Sequence, residues 1–350
     1  MITTPFLYEH IRIVSEVQMD KLMATLSSNA RERLGPLILR LDLQIDDLLW
    51  ECPSESTPDQ WSPAPQLCLA SPNLTTLVTE STWEGEPRIA DILPRTLRHV
   101  CFLCTFVLSF KDWVSFMDKH PALESVDPPR IDLDTVLAER SVAKGKQWPT
   151  LKELVFHVLE ADVGVWTEAF PTGSLPNLQR LVLRKPVLRE EQGEFSRFLR
   201  SHGQNLEQIH LVNSDPEDPC IPVSLFPILS ELCLKLNRVV WMVSNVYRLE
   251  EWWSRQGLSR QSADFQLLCV TTLEVQLLDP PSPVVLNVLE SWVAALPQVK
   301  KVVLQEADLE ELRCLYANEL HEFVKGTAEV GLGRGGVIVV EDENGRVVEV

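Results

Sequence analysis

A short pattern recurs along this chain and limits what it can fold into more than any other feature. A proline or asparagine, then an apolar-x-x-apolar-x-apolar run, appears as Pro149-Thr150-Leu151-Lys152-Glu153-Leu154-Val155-Phe156 and as Pro176-Asn177-Leu178-Gln179-Arg180-Leu181-Val182-Leu183. Further copies are Asn205-Leu206-Glu207-Gln208-Ile209-His210-Leu211, Pro227-Ile228-Leu229-Ser230-Glu231-Leu232-Cys233-Leu234 and Pro297-Gln298-Val299-Lys300-Lys301-Val302-Val303-Leu304, with weaker ones from Leu74, Leu97 and Leu123. The first apolar residues, at 74, 97, 123, 151, 178, 206 and 229, are separated by 23, 26, 28, 27, 28 and 23 residues, within the leucine-rich-repeat range. A looser copy around Thr271-Thr272-Leu273-Glu274-Val275-Gln276-Leu277 registers from either Val270 or Leu273.

Between these strands the apolar period becomes helical, as in Phe110–Met117 and Pro283–Leu296. Neither a strand nor a helix of one repeat can bury its apolar face alone, so neighbours must stack. The expected fold is α/β, a leucine-rich-repeat-like solenoid with a curved parallel sheet on the concave side and helices on the convex side. It spans 1–306, with a mobile loop at the proline- and serine-rich 53–66 and a Trp-rich helical insertion at 237–266. In the insertion, Val246, Leu249 and Trp253 share a helix face suited to burial, which leaves Trp252 for an interface. Residues 307–350 are read as a cap: a helix over Asp308–Lys325, then a hairpin turning at Asn344-Gly345.

With the repeats in view, two amino-terminal phrases gain meaning: Thr4-Pro5-Phe6-Leu7-Tyr8-Glu9-His10-Ile11-Arg12-Ile13 and Leu34-Gly35-Pro36-Leu37-Ile38-Leu39-Arg40-Leu41-Asp42-Leu43. Together with the repeats through about Leu304 they resemble fungal-type F-box/leucine-rich-repeat proteins. The resemblance implies repeats that recruit the substrate of a cullin-type ubiquitin ligase. No F-box precedes Thr4, so the chain as given is not expected to bind the ligase adaptor.

Composition narrows the partners. The 350 residues carry 45% hydrophobic content and a formal charge of -18, which repels phosphate backbones and anionic lipid, so neither nucleic acid nor membrane is expected. Without a secretory signal or a segment of transmembrane length, the expected location is cytoplasmic or nuclear, and the Asn73-Leu74-Thr75 acceptor should stay unglycosylated. The eight scattered cysteines are expected to be reduced.

The common catalytic motifs are absent: no Gly-x-Ser-x-Gly elbow, phosphate-binding loop or His-Glu-x-x-His helix occurs. Gly331-Leu332-Gly333-Arg334-Gly335-Gly336 precedes a strand, unlike a dinucleotide loop, and reads as a flexible turn. Cys101 and Cys104 lack a second ligand pair, and Asp132 and Asp134 are read as solvated, so no metal or cofactor is expected. The expected function is noncatalytic binding of a protein or peptide; the alternatives are an enzyme of unfamiliar type in a loop-built cleft and a decayed relative without binding function.

Strand alternation then points to the binding residues, because positions between the apolar ones face the concave surface. They are Glu153, His157, Arg180, Arg184, Gln208, His210, Glu231 and Lys235, beside His99 and Cys101, with Trp252 as a candidate on the other face.

Overall fold

The computed structural model describes residues 8–27, 34–50, 62–83, 89–102, 107–156, 167–184, 192–213, 225–243, 269–277 and 283–348. The chain divides into two compact units, 1–155 with 165–177, and 156–164 with 178–350.

The first unit contains strands β1 (His10–Ile13), β2 (Arg40–Trp50), β3 (Thr76–Trp83), β4 (His99–Phe102), β5 (Val107–Leu108), β6 (Ser125–Asp127), β7 (Arg130–Ile131) and β8, Glu153–Phe156, at its boundary. Strands β1, β2, β3, β4, β6 and β8 pair in that order, all parallel, and β5 pairs with β7 beside them. Helices between successive strands include α1 (Glu16–Ser27), α2 (Pro63–Ala70), α3 (Ile89–Ile92), α4 (Phe110–Lys119) and α5 (Leu133–Glu139).

The recurrent sequence phrase has a recurrent structure. In four copies the N–H of the first apolar residue closes a tight turn onto the carbonyl three residues back: Leu74 to Ser71, Leu97 to Pro94 and Leu123 to His120 at 3.1 Å, Leu151 to Trp148 at 3.2 Å. The carbonyl of the residue that follows then takes two N–H donors from the next repeat; Thr75 accepts from Arg98 and His99, Arg98 from Glu124 and Ser125, Glu124 from Lys152 and Glu153. Proline gives up its own donor here but leaves a carbonyl that the next repeat uses. Asn73 donates to Pro36 at 2.9 Å, Thr96 to Pro72 at 3.1 Å, Thr150 to Pro121 at 2.7 Å and Asn177 to Pro149 at 2.7 Å. The phrase is thus a hydrogen-bonded link between consecutive repeats as well as a strand signal.

The second unit repeats this plan with β9 (Arg180–Leu183), α6 (Gln192–His202), β10 (Gln208–Asn213), α7 (Leu225–Leu232), β11 (Arg238–Val243), β12 (Thr272–Leu277), α8 (Pro283–Ala295), β13 (Lys301–Leu304), α9 (Glu306–Leu315), α10 (Ala317–Gly333) and β14 (Val339–Asp342). Strands β9 to β14 pair in numerical order, all parallel. Apolar strand residues point to the helices: the Phe156 ring meets those of Phe195 and Phe198 on α6, and Trp241 on β11 stacks on Trp292 of α8 at 4.9 Å and 6°. In the first unit Phe102 of β4 packs against Phe116 of α4.

Several expectations need correction. The Pro227–Leu234 copy is not a strand: Leu225–Leu232 is helix α7, and the strand is Arg238–Val243, within the expected insertion. Leu229, Leu232 and Leu234 satisfy the strand pattern only because the first two also lie at helical spacing; Leu234, which should face inward, is 75% exposed, while Leu236, Val239 and Trp241 are fully buried. The turn onto Cys233 precedes Leu236, so the repeat starts there and Trp241 belongs to a strand; the rest of the insertion, 244–266 with Trp252, lies outside the described residues. The expected loop at 53–66 ends early, since Pro63 starts α2 behind the extended Ser62, and Ala64 and Pro65 are buried; 53–61 lie outside the described residues.

The cap region also differs. Tyr316, at φ -139° and ψ 42°, leaves the helical region and divides the expected helix into α9 and α10. The glycine-rich stretch is a helix end rather than a free turn: Gly336 N–H bonds Gly331 O and Gly335 N–H bonds Leu332 O, both at 3.0 Å, with Gly335 at φ 74°. Gly331 is required there, because a Cβ would lie 2.7 Å from the Ile338 nitrogen. The turn at Gly345 does form, and Asp342 accepts the Asn344 and Arg346 N–H groups, but β14 pairs with β13 and so continues the sheet of the second unit instead of beginning a separate cap at 307.

Candidate functional site

Each unit has a sheet face opposite the residues that pack on helices. In the first unit, one row on this open face is His10, Arg40, Thr76, His99, Ser125 and Glu153, and the row behind it is Arg12, Asp42, Val78, Cys101 and Asp127. The rows are laced by side-chain bonds. Asp42 accepts from Arg40 Nε at 2.9 Å and from His10 Nε2 at 2.9 Å, Arg12 donates to Gln44 at 2.8 Å, Cys101 Sγ to Asp127 at 3.1 Å, and Ser125 Oγ to Glu153 at 2.6 Å. Burial alone would raise the Asp42 pKa, but the bonds from Arg40 and His10 outweigh it and hold the carboxyl below its ordinary value. Where the strands begin, Glu124 lies between Arg98 at 3.1 Å and Lys152 at 2.7 Å, and the Lys152 bond lowers its pKa.

In the second unit the corresponding row is Arg180, Gln208, Arg238, Thr272, Lys301 and Val339, with Val182, His210, Val240, Glu274, Val303 and Glu341 behind it. The Arg238 guanidinium pairs with Glu274, whose other oxygen accepts from Gln276 at 2.8 Å; Lys301 pairs with Glu341 at 2.7 Å, and the Gln208 and His210 side chains meet at 2.7 Å. The rear row is recessed: Val240 is 1% and Val303 7% exposed.

Of the residues expected to bind, Glu153, Arg180, Gln208 and His210 stand on open-face strands, and Arg184 follows β9. Glu231 and Lys235 do not. Glu231 lies on α7, and Lys235 in the turn before β11 donates to Asn205 at 2.7 Å, displaced by the same error of repeat phase. His157 and Trp252 lie outside the described residues. Arg238, Glu274, Lys301 and Glu341 were missed. Applying the strand rule from Val299 finds Lys301, and from Val270 finds Glu274; Arg238 was concealed by the phase error, and Glu341 by assignment of its strand to a cap.

Cys233, which the shifted phase would have placed on the face, is fully buried; burial, aided by nearby Cys269, pushes its thiol up to about 12, so it stays protonated. Asp132 accepts the Asp134 N–H at the start of α5. Among the described residues, no group of three or more His, Cys, Asp or Glu could hold a metal ion, and no helix is long and apolar enough to cross a membrane. No family model matches the chain, and no curated protein matches it.

Proposed function

We propose that this chain is a leucine-rich-repeat-like protein-interaction module, noncatalytic, related to the substrate-recognition repeats of F-box ubiquitin-ligase receptors and working in the cytoplasm or nucleus. Its sheets curve with the helices on the convex side, and the open face holds a protein or peptide. The observation that carries this reading is the row of hydrogen-bonding and charged side chains on consecutive parallel strands of the second unit, each in register with the next. Such a row can be touched along its length by one extended partner, whereas catalysis needs groups converging on one point.

The test is selection of ligands from a displayed library of random peptides against the whole chain. Ligands that bind the parent but lose about tenfold or more in affinity to a Gln208→Ala/His210→Ala variant support the reading. If selection yields no ligand, or only ligands indifferent to those substitutions and to Arg180→Ala, the open face is not a binding surface.

A further inference from the structure

We propose that the outer edge of β1 takes an added β-strand from a partner protein, one that sets a carboxylate opposite Arg12 and a hydroxyl opposite His10, with apolar residues between them. This edge belongs to the first unit, away from the Gln208 and His210 row, and goes beyond the role proposed above.

Among the described residues β1 pairs only with β2. Leu39 donates its N–H to Glu9 O at 3.1 Å, and backbone groups alternate in direction along a strand. Those of Ile11 and Ile13 therefore turn toward β2, and those of His10 and Arg12 turn outward. Such an edge is a template for another strand, whose main-chain hydrogen bonds supply affinity while its alternate side chains supply specificity.

The side chains of β1 define which strand fits. Asp42 is matched by Arg40, whose Nε lies 2.9 Å from one carboxylate oxygen and whose Nη2 lies 3.1 Å from the other, so its charge does not offset a second cation. Arg12 is exposed and bonds the neutral Gln44 through Nε at 2.8 Å, which leaves both terminal nitrogens of its planar fork for a carboxylate. His10 donates from Nε2 to Asp42 at 2.9 Å, so its neutral ring presents Nδ1 as an acceptor, and a hydroxyl is the group that completes it. Both side chains stand on the open face. The other face of β1 carries the half-buried Ile11 and the buried Ile13, and just beyond the strand Val14 and Val17 are 49% and 62% exposed. Apolar residues alternating with the polar ones of the incoming strand continue that apolar layer.

Charge also separates this occupant from a second copy of the chain. Antiparallel pairing of β1 with itself would set the basic residues of one copy against those of the other, which is unfavourable across strands. The net charge of -18 acts through a screening length of about 8 Å at physiological salt, so the unpaired Arg12 governs contacts made at this edge.

Fluorescence anisotropy with the whole chain and labelled, end-blocked peptides tests this. The peptide Val-Glu-Val-Thr-Val-Glu-Val presents the pattern in either strand direction and should bind about tenfold tighter than an isomer with its glutamates adjacent. Arg12→Gln should remove the preference and Gln208→Ala/His210→Ala should leave it unchanged, with melting curves confirming that each variant folds. Methylating the backbone nitrogens of the valines blocks a parallel strand, and methylating those of the other residues blocks an antiparallel one, so one methylated form should lose binding and the other keep it. Equal affinities, no binding, a preference that survives Arg12→Gln, or the same response to both methylation patterns would overturn the proposal. Concentration-dependent self-association of the parent that the peptide suppresses would assign the edge to a second copy instead. Failure here leaves the Gln208 and His210 row, which has its own test, untouched.

Discussion

Strand β9 offers a direct test of which way its residues point. Leu181 has no exposed surface and pairs in register with the equally buried Ile209, whereas its neighbour Arg180 is exposed on the opposite face. Leu181→Ala removes three buried carbons, worth ~2.4 kcal/mol at about 0.8 kcal/mol each, and the cavity left between strand and helices raises the cost toward about 5 kcal/mol. Arg180→Ala leaves no cavity and should change stability by no more than ~0.5 kcal/mol. In urea, with a slope of about 2 kcal/mol per molar, the leucine variant should unfold with a midpoint lower by roughly 1–2.5 M, at unchanged slope. The arginine variant should follow the parent. Equal shifts for the two, or a larger one for arginine, would refute the assignment of faces and with it the binding row.

The phase of the following repeat can be checked in the same way: Val239→Ala should cost about 1–2 kcal/mol and Leu234→Ala under ~0.5 kcal/mol, and the reverse order would restore the strand at Leu229. Alkylation at mildly alkaline pH, followed by peptide mass mapping, should label exposed Cys314 in the folded protein and leave buried Cys233 intact until denaturant is added; early labelling of Cys233 would contradict its raised pKa. His120 is buried with Nδ1 2.7 Å from Phe116 O and Nε2 3.1 Å from Leu93 O, and burial lowers its pKa more than those bonds raise it. The folded state therefore binds fewer protons than the unfolded one between the lowered pKa and about 6.5, so the contribution is complete above that pH and lost as pH falls through the window. Compared with parent across pH 5 to 7, His120→Gln should show a flatter dependence of stability on pH; an unchanged slope would mean that His120 does not titrate there.

The repeat architecture was legible because its signal is redundant. Leu151, Leu154 and Phe156, or Leu178, Leu181 and Leu183, define a face by period two, and the Pro-Thr or Pro-Asn before them marks a turn whose side chain bonds the preceding repeat. Where the signal was single it misled. Leu229 and Leu232 suit a helix face as well as a strand, and only the burial of Leu236, Val239 and Trp241 separates the two. The prolines at 63 and 65 suggested a loop, yet proline at the first turn of a helix lacks only a donor that would have had no partner there.

The face itself was legible residue by residue but not as a set. Which way Arg180 or His210 points follows from its own strand; which carboxylate meets Arg238 depends on placing Glu274, 36 residues away, in the same register. A misplaced repeat start therefore does more than lose one residue. It put Glu231 and Lys235 beside His210 and concealed Arg238, so the alternation of Arg180, Gln208, Arg238, Thr272 and Lys301 could not be seen.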